Sequence, residues 1–248
     1  MKAKGSHIIF VAIGGVYQIG KTSIIEMLTG DSSIKTRPSE VMRTFTFGPY
    51  SYNFIRKRFE LEEIEGDDTE VFFIDTEGCN GFSWHKKIEI YRLIVPYVTL
   101  SGVFIAVFPA HTSIDVSSEK VLLDLIDSSH KGTNIVPKVI IAVQHVNDYE
   151  YPDEMIFNEK QNELTERFSQ IFPKKYQFAE VIPLPRINYV DDVLKQSETY
   201  NEGFRIFAQH SIKHIEELRK CLTFSKEEAL QKFEQLMKNE QIDEYFGD

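Results

Sequence analysis

The stretch from His7 to Leu28 constrains the fold more than any other part of the chain. His7 to Ile13 is short, β-branched and nearly all apolar, the pattern of a strand buried on both faces of a parallel sheet. It runs into Gly14-Gly15, and beyond the glycines Lys21 to Leu28 spaces Ile24, Ile25 and Leu28 along one face of a helix. Between strand and helix, Gly15-Val16-Tyr17-Gln18-Ile19-Gly20-Lys21-Thr22 fits the pattern G-x-x-x-x-G-K-[ST]. In that pattern the glycines let backbone N–H groups curl around a polyphosphate, the lysine reaches the terminal phosphates and the hydroxyl binds Mg²⁺. Ser23 extends the loop into the first helical turn, where the helix dipole adds positive potential.

The same grammar recurs downstream. Val71 to Ile74, Gly102 to Phe108, Val139 to Val143 and Val181 to Leu184 are short apolar runs of strand length. Helical patterns lie between or beside them at Lys86 to Val98, Ser117 to Leu125 and Asn158 to Phe172. Strands alternating with helices indicate an α/β fold with a mostly parallel sheet covered on both faces. The expected architecture is a three-layer P-loop NTPase G domain over residues 1–205, followed by a short C-terminal helical segment at 206–248. In that segment Ile212, Ile215, Leu218 and Leu222 form one stripe, and Ser225-Lys226-Glu227-Glu228 reads as a capping box opening a last helix with Leu230, Phe233 and Leu236. The segment is expected to pack back on the domain. Thr44 to Glu62, with aromatics and β-branched residues in loose alternation, reads as a hairpin or edge strand.

A phosphate loop needs a carboxylate at the end of a second core strand to hold water on Mg²⁺, a hard cation that keeps much of its hydration shell. Val71-Phe72-Phe73-Ile74-Asp75 supplies one, and Gly78 completes D-x-x-G, whose glycine N–H can bond a terminal phosphate and sense its loss. Between the two motifs lies the polar loop where a nucleotide switch would carry a threonine that completes the Mg²⁺ shell. Thr44 and Thr46 both qualify, and Thr46 is favoured because Thr46-Phe47-Gly48 enters a strand. The metal-binding candidates are thus Thr22, Thr46 and Asp75, and the catalytic candidates Lys21, Thr46 and Gln18.

Guanine is told from adenine by a carboxylate on the loop after a late strand. Gln144-His145-Val146-Asn147-Asp148 follows such a strand, with Asp148 as the acceptor, but an N-K-x-D box would need Asn and Lys where His145 and Val146 stand. The combination of Gly15-Val16-Tyr17, Gly20-Lys21-Thr22, Asp75-Thr76-Glu77-Gly78 and a lone Asp148 resembles the large GTPases of the guanylate-binding protein and atlastin group, within the dynamin superfamily, over about residues 7–220. The resemblance implies that Tyr17 shields the phosphates, that Asn147-Asp148 takes the place of the group's Arg-Asp pair, and that Pro185-Arg186 belongs to the last base-proximal loop. It also implies an arginine finger inside the phosphate loop, where this chain has Gln18, and Cys79 rather than a glutamine follows D-x-x-G. An arginine finger is worth roughly 10³ to 10⁵ in rate, so intrinsic hydrolysis is expected to be slow.

Composition narrows the remaining classes. A formal net charge of −10 gives no general attraction to nucleic acid or anionic lipid. No stretch approaches the roughly 20 apolar residues of a membrane span. With only Cys79 and Cys221, and too short an apolar run at the start for a secretory signal, a cytoplasmic setting is expected. The sequence therefore predicts a GTP/GDP- and Mg²⁺-binding switch with slow hydrolysis, engaging an effector or a second copy of itself through the nucleotide face. An ATP-dependent phosphotransferase and a non-catalytic nucleotide-binding scaffold are the alternatives.

Overall fold

The computed structural model of the chain describes residues 7–15, 20–34, 45–76, 101–110, 138–146, 154–171, 178–185, 198–219 and 225–237. The described strands are β1 (His7–Gly15), β2 (Phe45–Ser51), β3 (Thr69–Asp75), β4 (Val103–Pro109), β5 (Lys138–Val146) and β6 (Phe178–Pro185), and they form one sheet in the order β2-β3-β1-β4-β5-β6. All neighbours pair in parallel except β2, which runs antiparallel to β3 at the edge. The described helices are α1 (Lys21–Thr29), α2 (Tyr52–Arg58), α3 (Glu154–Ile171), α4 (Glu198–Arg219) and α5 (Lys226–Met237).

Strand alternation explains how this sheet takes two helical layers. Ile9, Val11 and Ile13 of β1, Val71 and Phe73 of β3, Val103, Ile105 and Val107 of β4, Ile140 and Ala142 of β5 and Ile182 and Leu184 of β6 share one face. There they meet Ile24, Ile25 and Leu28 of α1 and Phe204, Phe207, Ala208, Ile212 and Ile215 of α4. The intervening residues, among them Ile8, Ala12, Phe104, Ala106, Phe108, Ile141 and Val143, are buried too. On that second face Phe108 packs against Phe168 of α3, ring centroids 5.3 Å apart. Burial on both sides is why these strands read as unbroken apolar runs.

The expected strands at His7, Val71, Gly102, Val139 and Val181 all form, within the usual uncertainty of element ends. The helical patterns at Lys86 to Val98 and Ser117 to Leu125 lie outside the described residues. One expectation is corrected in part: of the stretch Thr44 to Glu62, read as a hairpin or edge strand, Phe45–Ser51 is the edge strand β2, but the chain then enters α2 rather than a second strand. Tyr52, Ile55 and Phe59 are buried at helical spacing, Ser51 caps the helix by accepting from the Phe54 amide, and Arg56, Lys57 and Arg58 complement the dipole of its last turn. Aromatic and β-branched composition masked that spacing.

The expected boundary near residue 205 falls inside α4, which runs unbroken from Glu198 to Arg219. Its apolar residues on either side of that point belong to the same core as the sheet. Polar bonds fasten the helix as well. Glu180 of β6 accepts from His210 Nδ1 at 2.5 Å, His214 Nε2 at 2.7 Å and Gln161 Nε2 at 2.8 Å. Burial alone would push the Glu180 carboxyl up, but these hydrogen bonds outweigh it and hold it well below the usual carboxylate range. The Ser225 capping box forms as its sequence indicates: the Ser225 amide donates to Glu228 Oε2 at 2.8 Å and the Glu228 amide donates to Ser225 Oγ at 3.2 Å.

Candidate functional site

In the sheet order, β3 and β2 lie on one flank of β1 and β4, β5 and β6 on the other, so the order of strands reverses at β1. The crevice of a doubly wound sheet opens at such a reversal, outside the carboxyl ends of the strands. Gly15, Asp75, Pro109, Val146 and Pro185 are the last residues of five parallel strands and so line one edge of the sheet. Gly15, the first residue of the glycine–lysine motif, thus ends β1 at the place where this topology makes a ligand crevice.

Local geometry shows why glycines flank the loop. Gly15 has φ 146°, and a Cβ there would lie 2.2 Å from the Val107 carbonyl oxygen, so β1 can leave the sheet beside β4 only without a side chain. Gly20 is left-handed, at φ 87° and ψ 26°, and opens α1 without a side-chain cap. The first turn of α1 contains no acidic residue, which leaves its dipole uncompensated from within the helix. Lys21, only 8% exposed, turns back along the loop and donates from Nζ to the Gly15 carbonyl at 3.4 Å. Ser23 lies in the same first turn.

Thr22 and Asp75 meet directly. Asp75 pairs with Ile13 in the β1–β3 register, which places its carboxylate beside the start of α1, and Thr22 Oγ1 donates to Asp75 Oδ2 at 2.5 Å. Burial pushes the Asp75 carboxyl above the ordinary aspartate range, against the Thr22 hydrogen bond and the Lys21 charge, which pull it down. The pair fits magnesium on its donor chemistry. Both groups are hard oxygens, and a hydroxyl that donates its proton to a carboxylate keeps its lone pairs for a cation. Among the described residues no group of three or more His, Cys, Asp or Glu stands ready to hold a metal.

The other sequence-derived candidates distribute unevenly. Thr46 is exposed on β2 opposite Ile74, and its hydroxyl does not join the Thr22–Asp75 hydrogen bond. Pro185 closes β6 opposite Val146. Val16, Tyr17, Gln18, Ile19, Gly78, Asn147, Asp148 and Arg186 lie outside the described residues. Two residues at this edge were not among the sequence-derived site candidates. Gln144 is 1% exposed near the end of β5, on the face that carries Asp75, and its Oε1 has no hydrogen-bond partner. Thr76 is buried immediately after Asp75 and bonded to β1. The available signal in each case was a polar residue where a two-sided buried strand ends.

A mostly parallel sheet whose strand order reverses at β1, positive-φ glycines at the end of β1 and the start of α1, and a hydroxyl–carboxylate pair between α1 and β3 define the class: this chain has a P-loop NTPase fold of the G-domain type. No protein-family model matches the chain, and no curated protein matches it in sequence. Among solved structures it is similar to Aquifex aeolicus Era bound to GDP·AlF4⁻, at 16% identity and a TM-score of 0.47, covering 84% of this chain and 57% of that one. It is also similar to a bacterial selenocysteine-specific elongation factor, EF-Sec, at 14% identity and a TM-score of 0.45, covering 84% of this chain and 29% of that one. The chain thus spans little more than half of the first protein and under a third of the second. No described helix is long and apolar enough to cross a membrane.

Proposed function

We propose that the chain binds GTP with Mg²⁺ and acts as a nucleotide switch that hydrolyses GTP slowly to GDP. The observation that carries this reading is the Thr22–Asp75 hydrogen bond, which sets a phosphate-loop hydroxyl against a buried strand-end carboxylate with Lys21 alongside. In this reading the loop from Gly15 to Ser23 wraps the phosphates and Lys21 faces the terminal ones. Thr22 would supply a direct ligand to Mg²⁺, Asp75 would hold water on it, and Thr46 would complete the shell in the triphosphate state. Bound magnesium would draw charge from the phosphate oxygens. Gly78 senses the terminal phosphate, while Asn147, Asp148, Pro185 and Arg186 face the base.

The guanine assignment is supported by Asp148 and by the resemblance of Asp75-Thr76-Glu77-Gly78 to the guanylate-binding protein and atlastin group. Gln18 and Cys79 stand where an arginine finger and a water-orienting glutamine would act, which supports a low intrinsic rate. Ordering of residues 31–48 and 76–87 by the triphosphate would then create a surface for an effector or a second copy of the chain.

Titration with GTP, GDP and ATP in Mg²⁺ tests this. The expected result is a GTP Kd of about 1 µM or tighter with ATP weaker, and a loss of at least about tenfold in Lys21→Ala. Equal affinity for GTP and ATP would sink the guanine assignment. A parent that binds no nucleotide, or a Lys21→Ala variant that binds like the parent, would overturn the phosphate-loop reading. Single-turnover hydrolysis at rising protein concentration separates a dimer-activated GTPase, which accelerates, from a binding scaffold, which stays silent.

A further inference from the structure

Thr76 is 2% exposed and follows Asp75 directly in the chain. Its backbone N–H donates to the Ile13 carbonyl of β1 at 2.9 Å, the ordinary next rung of a parallel ladder. Its hydroxyl donates to that same carbonyl, also at 2.9 Å, so both lone pairs of Ile13 O are taken by one residue. The second bond is not needed for the sheet, because an apolar residue would complete the rung as well. Gly14 leaves space for it: a Cβ there would come 3.1 Å from Thr76 Oγ1 and 2.6 Å from Phe104 Cζ.

We infer that Thr76 is a positioning residue for the magnesium site, its hydroxyl locking the end of β3 onto β1 so that Asp75 is presented to Thr22. The register supports this, since Ile13 is the residue that pairs with Asp75 itself. With the side chain of Thr76 tied down, the backbone immediately after Asp75 cannot turn freely about the strand axis. The carboxylate on the opposite face therefore keeps the 2.5 Å contact with Thr22. This inference rests on the nucleotide reading above.

Thr76→Val tests it, because valine keeps the β-branched shape and the Ile13 carbonyl keeps its backbone donor. Retention of a fluorescent guanine nucleotide by the full chain is followed across a Mg²⁺ titration, and separately in EDTA. The expected result is a rise of about tenfold in the Mg²⁺ midpoint, the size typical of losing a group that orients a metal ligand. Affinity in EDTA should stay unchanged, and Thr76→Ser should restore the parent midpoint. A merely structural hydroxyl would lower thermal stability without moving the midpoint. An unmoved midpoint in Thr76→Val, or in Thr76→Ala should valine prevent folding, overturns the inference, as does a serine variant as impaired as valine. A parent that retains no nucleotide overturns the function reading and this inference with it; binding by the parent with an unmoved midpoint in the variant overturns this inference alone.

Discussion

At the scale of single residues, the proposed magnesium role of Asp75 would join stability and cation binding through its proton. Its carboxyl holds a proton more tightly in the folded chain than an exposed aspartate would, because it is buried. Without a cation, its contribution to folding is therefore full at low pH and is lost as pH rises through the raised value. A cation reverses this preference, since only the ionised carboxylate orients water on it. Mg²⁺-promoted nucleotide retention should accordingly fade on acidification while the pH is still above the ordinary aspartate range. Asp75→Asn should lack the Mg²⁺ effect at every pH. A parent whose Mg²⁺ midpoint stays flat from neutrality down to the ordinary aspartate range would show that Asp75 does not govern the cation.

Between elements, polar contacts of long sequence separation join α2 to α4. Arg56 donates from one guanidinium nitrogen to Glu216 Oε2 at 2.7 Å and from Nε to the Glu62 carbonyl at 2.8 Å. Tyr52 OH donates to the Ile212 carbonyl and Gln209 to the Phe59 carbonyl. Arg56 is nearly buried, so removing Glu216 leaves its charge poorly compensated. Glu216→Ala should cost about 1 to 3 kcal/mol of unfolding free energy, measured by denaturant titration. A loss below about 0.5 kcal/mol, the size of an exposed pair, would show that solvent already screens Arg56. These bonds also show why α2 was illegible as a helix. Part of what holds it comes from a helix 160 positions away in sequence, whereas the capping box at Ser225 is local and was readable outright.

For the whole molecule, the decisive feature is that α4 completes the core. Phe207, Ala208, Ile212 and Ile215 lie beyond residue 205 and are buried against the sheet. At roughly 1.5 to 3 kcal/mol for each large apolar side chain, their loss approaches the entire stability of a typical domain, about 5 to 15 kcal/mol. A chain ended at residue 205 should therefore fail to fold, seen as loss of a cooperative thermal transition and recovery in the insoluble fraction. A soluble, cooperatively folding fragment would show that the helical segment is separate. By itself the sequence determined the strand up to Gly15, the helix from Lys21, the strand ending at Asp75 and the capping box, because each is written in the spacing of neighbouring residues. Only the tertiary structure decided that β1 lies between β3 and β4, that Thr22 touches Asp75, that Thr76 holds Ile13, and that α4 belongs to the sheet's core. Periodicity says which face an element will bury, but not against what, since that is set by contacts between residues far apart in the chain.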